Sequence, residues 1–258
     1  MSYGKPKKIP RPVSDFTEFN LNNPPKPDDD FTSGAVFLTD KPKGWSSFRV
    51  VGLIRKLTGI KRTGHAGTLD PMATGLLIVC TGKATKSISL IQDERKTYIA
   101  EIQLGAATES YDAETGFTAT SDFSHVSLDN IRSVFEESFQ GNIEQFPPMY
   151  SALQHKGERL YRLARQGIEV ERKAREVCIY DTEILNFDQQ AGKISVSITC
   201  SKGTYIRTIA HDLGQKIGTH GYLTALRRTA SGAYSVERAL TAEQLITNFN
   251  MHGKIDLS

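Results

Sequence analysis

The pattern of apolar and polar residues predicts strands and helices mixed along one chain. Every second residue is apolar over 193–200, which is typical of a strand with one buried face. Shorter runs of the same kind predict strands at 35–39, 76–80 and 98–104. These runs are separated by segments whose apolar residues follow helical spacing.

Helix start and stop signals support this interpretation. Ser46 or Ser47 can cap a helix that Gly59 ends, and Thr241 with Gln244 forms a possible capping box for a last short helix. Further helices are expected over 84–91, 128–139 and 204–214. Because strands and helices do not alternate in regular βαβ units, the fold class is predicted to be α+β with a largely antiparallel sheet.

The N-terminal segment has a different composition. Residues 1–32 hold six of the ten prolines and few large apolar residues, so we expect a flexible, Pro-rich arm. The main folded domain is expected over 33–240, followed by a short C-terminal segment at 241–258.

The overall composition is that of an ordinary soluble globular protein. The 258 residues are 38% hydrophobic and 24% charged, with no apolar run long enough to span a bilayer and no secretory signal. The three cysteines lack CxxC spacing, which argues against a disulfide framework or a zinc site. We therefore expect a cytoplasmic protein without membrane association, in which Cys80 and Cys200 are buried structural thiols.

Charge is distributed unevenly along the chain. Residues 41–92 carry nine Lys or Arg residues and a single acidic one, Asp70, and 156–175 carries seven basic residues against three acidic ones. Such segregation favours a surface that binds a polyanion, with a solvated helix face as the alternative. An ion pair or a helix cap is the simpler use of a lone Asp.

Asp70 is nevertheless the main candidate for chemistry. It lies in the segment 64–75, whose glycines permit close approach of another chain, and neighbouring cations favour its ionised form. His65 in the same segment could contact a substrate or satisfy a loop carbonyl. The chain has no P-loop, dinucleotide fingerprint, HExxH or GxSxG motif, and an acid nucleophile without a metal leaves few reactions.

For several other residues the sequence allows more than one role. Tyr98 enters a strand and could be a core residue or could stack on a nucleobase. Arg207 stands where a strand gives way to a helix, and could pair with a catalytic carboxylate or lie on the surface. Residues 40–47 are interpreted mainly as scaffold, and Asp112 or Glu109 could supply the second carboxylate that a glycosidase requires.

Five motifs together resemble the bacterial tRNA pseudouridine-55 synthase (TruB) family. They occur in the family's order, cover roughly residues 33–235, and include one motif, at 64–75, that is highly specific. The motifs are Asp40-Lys41-Pro42-x-Gly44-x-Ser46-Ser47, Gly64-His65-x-Gly67-Thr68-Leu69-Asp70-Pro71-x-Ala73-x-Gly75, Lys96-x-Tyr98, Gln145-x-Pro147-Pro148-x-Tyr150-Ser151-Ala152 and Gly203-Thr204-Tyr205-Ile206-Arg207.

The resemblance implies a pseudouridine synthase fold over 33–240, with a mixed, largely antiparallel sheet flanked by helices. It implies isomerisation of uridine 55 to pseudouridine in the T arm of tRNA. The base would flip out, the N1–C1′ bond would break and a C5–C1′ bond would form, with no cofactor and no metal. The expected partner is tRNA, and we expect a monomer with no obligatory protein partner.

The resemblance also implies roles for single residues at the reacting base. By motif match, Asp70 resembles the nucleophile, and Tyr98 resembles the tyrosine that stacks on the target base. Arg207 resembles the ion-pair partner of the aspartate, and Tyr205 resembles a second aromatic wall of the pocket.

Further matches concern the grip on RNA. His65 resembles a histidine that contacts the RNA, Leu226 resembles a pocket residue that meets the uracil, and the insertion at about 142–175 resembles the family's RNA-gripping insertion. Many members carry an additional C-terminal RNA-binding domain. The 22 residues after Val236 are too few for one, so none is expected here.

Two other functions remain open from the residues. One is a catalytically silent protein that binds or folds tRNA, for which Asp70 would be dispensable. The other is a hydrolase that acts on a glycosidic or phosphate bond of RNA and releases uracil or cleaved RNA.

Overall fold

The computed structural model describes residues 11–151, 153–155 and 157–250, and the chain forms two units. The first unit combines residues 1–94 with 230–258, and the second comprises 95–229. The expected main domain, 33–240, therefore contributes to both units.

The first unit is built around a continuous apolar run. Strand β4 reads TGLLIVCT, and every residue after Thr74 is buried, as expected for a strand covered on both faces. Strand β2 pairs antiparallel with β4, β3 does the same, and β1 pairs parallel with β2. The elements are β1 (Thr17–Phe19), β2 (Ala35–Lys41), α1 (Ser47–Thr58), β3 (Thr63–His65), β4 (Thr74–Thr81), α2 (Ile88–Asp93), β14 (Tyr234–Ser235), which pairs with Ala230 and Ser231, and α6 (Ala242–Asn248).

The ends of the helices in this unit follow the sequence signals. The Ser46 hydroxyl accepts a hydrogen bond from the Arg49 N–H at the start of α1, and Gly59 ends the helix with a φ of +71°. The predicted capping box of α6 is confirmed, because Thr241 and Gln244 each accept a hydrogen bond from the backbone N–H of the other.

The N-terminal arm departs from the prediction of a flexible segment. From Thr17 to Phe19 it forms β1, and Phe19 and Phe31 are buried in an aromatic cluster with Phe37 and Phe249. The ring centroids of Phe19 lie 5.4 Å from Phe31 and 5.1 Å from Phe37. Burial of these rings outweighs the entropy that favours a mobile Pro-rich chain. Residues 1–10 of the predicted arm lie outside the described residues.

This packing makes Phe19 a stability determinant. Replacing Phe19, which is 3% exposed, with Ala should lower the free energy of unfolding by about 3–5 kcal/mol, because a cavity forms in the cluster. Leu21, 41% exposed two residues later, is the matched control, and its Ala variant should change stability by only about 0.5 kcal/mol. Urea unfolding measures both. Equally small losses of stability in the two variants would contradict the burial of Phe19 in the aromatic cluster.

The second unit is an antiparallel sheet with helices. Its main strands follow the order β13-β5-β12-β11-β8, and the pairs β5–β12, β12–β11 and β11–β8 are antiparallel. The elements are β5 (Lys96–Leu104), β6 (Ala106–Thr108), β7 (Phe117–Thr120), α3 (Leu128–Ser138), β8 (Gly141–Gln145), β9 (Gln154–His155), β10 (Glu158–Arg159), α4 (Leu160–Arg165), β11 (Arg175–Asp188), β12 (Lys193–Cys200), α5 (Ile206–Ile217) and β13 (Gly221–Ser231).

The core of this unit follows the predicted alternation. In β12 the apolar residues are buried and those between them are exposed or partly buried, and the buried face meets Ala100 and Ile102 of β5. Helix α5 packs against β5 and against α3. The prediction of an α+β fold with a mixed, largely antiparallel sheet flanked by helices is confirmed.

The buried cysteines match their interpretation as structural thiols. Burial raises the pKa of Cys80 to about 12 and that of Cys200 to about 11, so both thiols stay protonated near neutral pH. Among the described residues, no helix is long and apolar enough to cross a membrane.

Candidate active site

Asp70 lies in the loop between β3 and β4 of the first unit. Its side chain is partly buried, and its carbonyl accepts a hydrogen bond from the Ala73 N–H at 3.1 Å, which closes a turn. Gly67 and Gly75 flank the turn with φ values of +98° and +101°, a conformation that other residues rarely adopt. The motif's glycines therefore shape the loop that presents this carboxylate.

The segment before α1 and the first residue of α1 hold the backbone on both sides of Asp70. The Ser47 hydroxyl accepts from the Leu69 N–H at 2.9 Å and donates to the Leu69 carbonyl at 3.1 Å. The carbonyl of Pro71 accepts from the Gly44 N–H at 2.8 Å and from the buried Lys41 ammonium at 3.3 Å. These hydrogen bonds agree with the interpretation of residues 40–47 mainly as scaffold, and the part they support is the Asp70 loop.

His65 ends β3 in the same unit. It is paired with Val79 of β4, and its ring meets the Phe48 ring edge-on, with 5.3 Å between centroids and 81° between planes. The structure thus brings His65 into contact with α1 as well as with the strand that follows the Asp70 loop.

Tyr98 and Leu226 lie on neighbouring strands of the second unit. Tyr98 stands opposite Ile198 in the β5–β12 register and is partly buried. The strands β13 and β5 are joined by hydrogen bonds from the Thr224 hydroxyl to the Glu101 carbonyl and from the Thr229 hydroxyl to the Thr97 carbonyl, at 3.1 and 3.2 Å.

Tyr205 occupies the N-cap position of α5. The buried amide of Gln145 brackets its backbone, since the Tyr205 N–H donates to Oε1 at 2.7 Å and Nε2 donates to the Tyr205 carbonyl at 3.0 Å. Cys200, at the end of β12, is opposite Lys96, at the start of β5. Tyr98 and the Tyr205 junction therefore lie near the same end of this sheet.

Arg207, in the first turn of α5, is buried and well satisfied. Its Nη1 donates to the Ser110 carbonyl at 3.0 Å, and its Nη2 donates to the Tyr150 carbonyl at 2.9 Å. Asp112 Oδ2 lies 3.4 Å from Nη1, with both side chains at most 5% exposed. A surface Arg is thereby excluded.

Sequence reasoning gave Asp112 a different role from the one that the structure supports. It named Asp112 only as a second carboxylate for a glycosidase, whereas the structure places it against Arg207. Its Oδ1 also accepts from the Ser110 hydroxyl at 2.5 Å and the Glu114 N–H at 2.9 Å. Gln145 belongs to a motif that assigned it no role. The contact of Asp112 with Arg207 and the contacts of Gln145 with Tyr205 have no local sequence signal, because each joins residues far apart in the chain.

Family models match most of this chain. The model described as TruB family pseudouridylate synthase, N-terminal domain, matches residues 55–206, and the tRNA pseudouridylate synthase B C-terminal domain matches 207–255. The chain belongs to the TruB family. The tRNA pseudouridine synthase B of Syntrophotalea carbinolica is 45% identical over 210 residues, which are 81% of this chain and 68% of that protein.

Two other similar proteins extend this result. The tRNA pseudouridine synthase B of Desulfotalea psychrophila is 46% identical over 216 residues, covering 82% of this chain and 87% of that protein. A chain in the crystal structure of a Cbf5–Nop10–Gar1 complex superposes with a TM-score of 0.66 and 28% identity. That match covers 92% of this chain but only 61% of the other, so the present chain spans less than two thirds of its length.

Tyr150 lies in the insertion that is expected at about 142–175, and it contacts both Arg207 and Glu109. The Tyr150 carbonyl binds Arg207, and the Tyr150 hydroxyl donates to Glu109 Oε2 at 3.1 Å. Partial burial, together with this contact to Glu109, raises the pKa of Tyr150. The basic side chains that follow are exposed at Arg159, Arg162 and Arg165, and Lys156 lies outside the described residues.

Within the first unit, the loop at 64–75 carries the partly buried Asp70. Within the second unit lie the partly buried Tyr98, the N-terminus of α5 and the buried guanidinium of Arg207. In the described part of the chain, no group of three or more His, Cys, Asp or Glu residues could hold a metal ion.

The pair of Asp112 and Arg207 should contribute strongly to stability. Changing Asp112 to Asn removes the charge that compensates a buried guanidinium, and should lower the free energy of unfolding by about 3–5 kcal/mol. The matched control is Asp129→Asn, because Asp129 lies 3.5 Å from Arg132 on the exposed face of α3 and its loss should cost at most about 1 kcal/mol. Urea unfolding at neutral pH compares them, and similar losses would refute the assigned role.

Proposed function

We propose that this protein isomerises uridine to pseudouridine at position 55 in the T loop of tRNA. The observation that carries the proposal is the 64–75 loop of a TruB family member, in which Asp70 is the only acidic residue among the cations of 41–92. The family's reaction and the names of the relatives, tRNA pseudouridine synthase B, support the same substrate.

The reaction leaves the composition of the nucleotide unchanged. The N1–C1′ bond breaks, the uracil turns and a C5–C1′ bond forms, while C5 loses its proton to solvent and N1 gains one. The target base must first leave its stack, which costs a few kcal/mol, and contacts to phosphates and stacking on an aromatic ring offset that cost. Asp70 acts as the ionised group, whether it attacks C1′, attacks C6 or removes the C2′ proton.

The other residues are assigned by their motifs. Tyr98 stacks on the target base and assists removal of the C5 proton, with Tyr205 as the second aromatic wall. Arg207 is the ion-pair partner of Asp70. The two hydrogen bonds between the Gln145 amide and the Tyr205 backbone fix the position of the Tyr205 backbone, as stacking on a base requires.

Binding of tRNA is assigned to cationic and pocket residues. His65 contacts the RNA and Leu226 meets the uracil, while the insertion grips the tRNA through Arg159, Arg162 and Arg165, which are exposed. Phosphate neutralisation of this kind makes affinity fall with salt. We further propose that the protein acts in the cytoplasm as a monomer, without a cofactor or an obligatory protein partner.

Asp70→Asn should abolish turnover. The variant keeps the shape of the side chain but loses the charge, so the rate should fall at least about a thousandfold while tRNA affinity stays nearly constant. Tritium release from C5-labelled uridine in unmodified tRNA measures turnover, and carbodiimide primer extension locates the product. Asp93→Asn, on an exposed carboxylate of the same unit, is the control and should behave as wild type.

The same assays separate the other functions. A hydrolase would release free uracil or cleave the RNA, and a silent tRNA-binding protein would give no product with either variant or with wild type. Isomerisation retained by the Asn variant would remove Asp70 from its role as nucleophile.

Arg207→Lys should reduce turnover about a hundredfold. Lys keeps the charge but lacks the planar fork that donates to two carbonyls and faces Asp112. Arg132→Lys, on the exposed pair with Asp129, is the matched control and should leave turnover unchanged. Single-turnover rates at saturating enzyme measure the effect, and an unchanged rate in the first variant would exclude Arg207 from the reaction.

A further inference from the structure

Phe48 is an exposed large apolar side chain on α1. Its neighbours Val50, Val51, Leu53 and Ile54 are buried, whereas 65% of Phe48 is open to solvent. It stands one residue after Ser47, which binds the Leu69 backbone beside Asp70. An aromatic ring is thus displayed on the helix turn that anchors the Asp70 loop.

The ring of Phe48 forms a corner with His65. The two planes meet at 81° with 5.3 Å between centroids. A flat molecule that stacks on one of two perpendicular rings turns its edge toward the other. Such a corner fits a nucleobase, which has a π-face for stacking and polar edges for contacts.

The charges around the corner favour nucleic acid over an apolar partner. Lys43, Arg49, Arg55 and Lys56 on and before α1 are exposed, and the Arg49 guanidinium lies 4.1 Å from the centroid of the Trp45 ring. Apart from Asp70, the stretch 41–92 contributes no carboxylate. A polyanion that carries aromatic bases complements this combination of rings and cations.

We propose that Phe48 and His65 form a second base-binding site, which holds an unpaired nucleobase of the RNA other than the target uridine. The inference rests on the proposed function and adds Phe48, which no family motif quoted above includes, as a substrate-binding residue. The site is part of substrate binding and makes no contact with the reacting bond, so it lowers KM without raising kcat.

Phe48→Ala should raise KM for unmodified tRNA about tenfold and leave kcat unchanged. Phe48→Leu keeps apolar bulk against His65 but has no π-face, and should show the same loss. Phe48→Tyr should restore wild-type KM. The matched control is Phe117→Ala, because Phe117 is 66% exposed and meets Tyr222 edge-on at 5.6 Å, and this variant should bind as wild type.

A scan with abasic RNA tests for the base itself. T-arm stem-loops that lack one loop base at a time, with the target uridine kept, are bound by wild type and by Phe48→Ala. At one position the penalty of the Ala variant should vanish, because the base that it would lose is already absent. At all other positions the tenfold penalty should persist.

The outcomes distinguish this inference from the proposed function. Wild-type KM in Phe48→Ala, full rescue by Leu, or a penalty that persists at every abasic position would each overturn the base-binding site while isomerisation continues. Absence of pseudouridine with wild type would instead overturn the proposed function.

Discussion

A buried guanidinium must have its donors satisfied, and this requirement organises the second unit around Arg207. Two carbonyls and the carboxylate of Asp112 surround it, and they come from the 108–112 loop and from Tyr150. An uncompensated charge at this depth would cost several kcal/mol, so these segments cannot move away independently. The N-terminus of α5 is held in addition by the hydrogen bonds between Gln145 and the Tyr205 backbone.

In the first unit, hydrogen bonds to the neighbouring backbone hold the loop that carries Asp70. Asp70 is only partly buried, so burial alone does not fix its position. Ser47 and Lys41 instead bind the chain at Leu69 and Pro71, on either side of Asp70. The side chain is thereby presented from a fixed backbone, and the exposed cations of the same stretch, such as Lys43 and Arg49, can attract a polyanion.

The sequence predicted features that are encoded locally. The alternation over 193–200 and the caps Ser46, Gly59 and Thr241 all matched, because each depends on residues within a few positions. The burial of Phe19 was missed, since proline content indicates a mobile chain and the rings that cover it come from distant segments. The partnership of Asp112 with Arg207 was missed for the same reason.

Tyr150 shows why such distant contacts matter for the proposed function. It binds Arg207 through its carbonyl and Glu109 through its hydroxyl, and the exposed Arg159, Arg162 and Arg165 come later in the same expected insertion. The insertion proposed to grip RNA, at about 142–175, therefore contains a residue that supports the guanidinium. Because Tyr150 binds Arg207 and lies in this insertion, displacement of the insertion at Tyr150 would change the contacts of Arg207 directly.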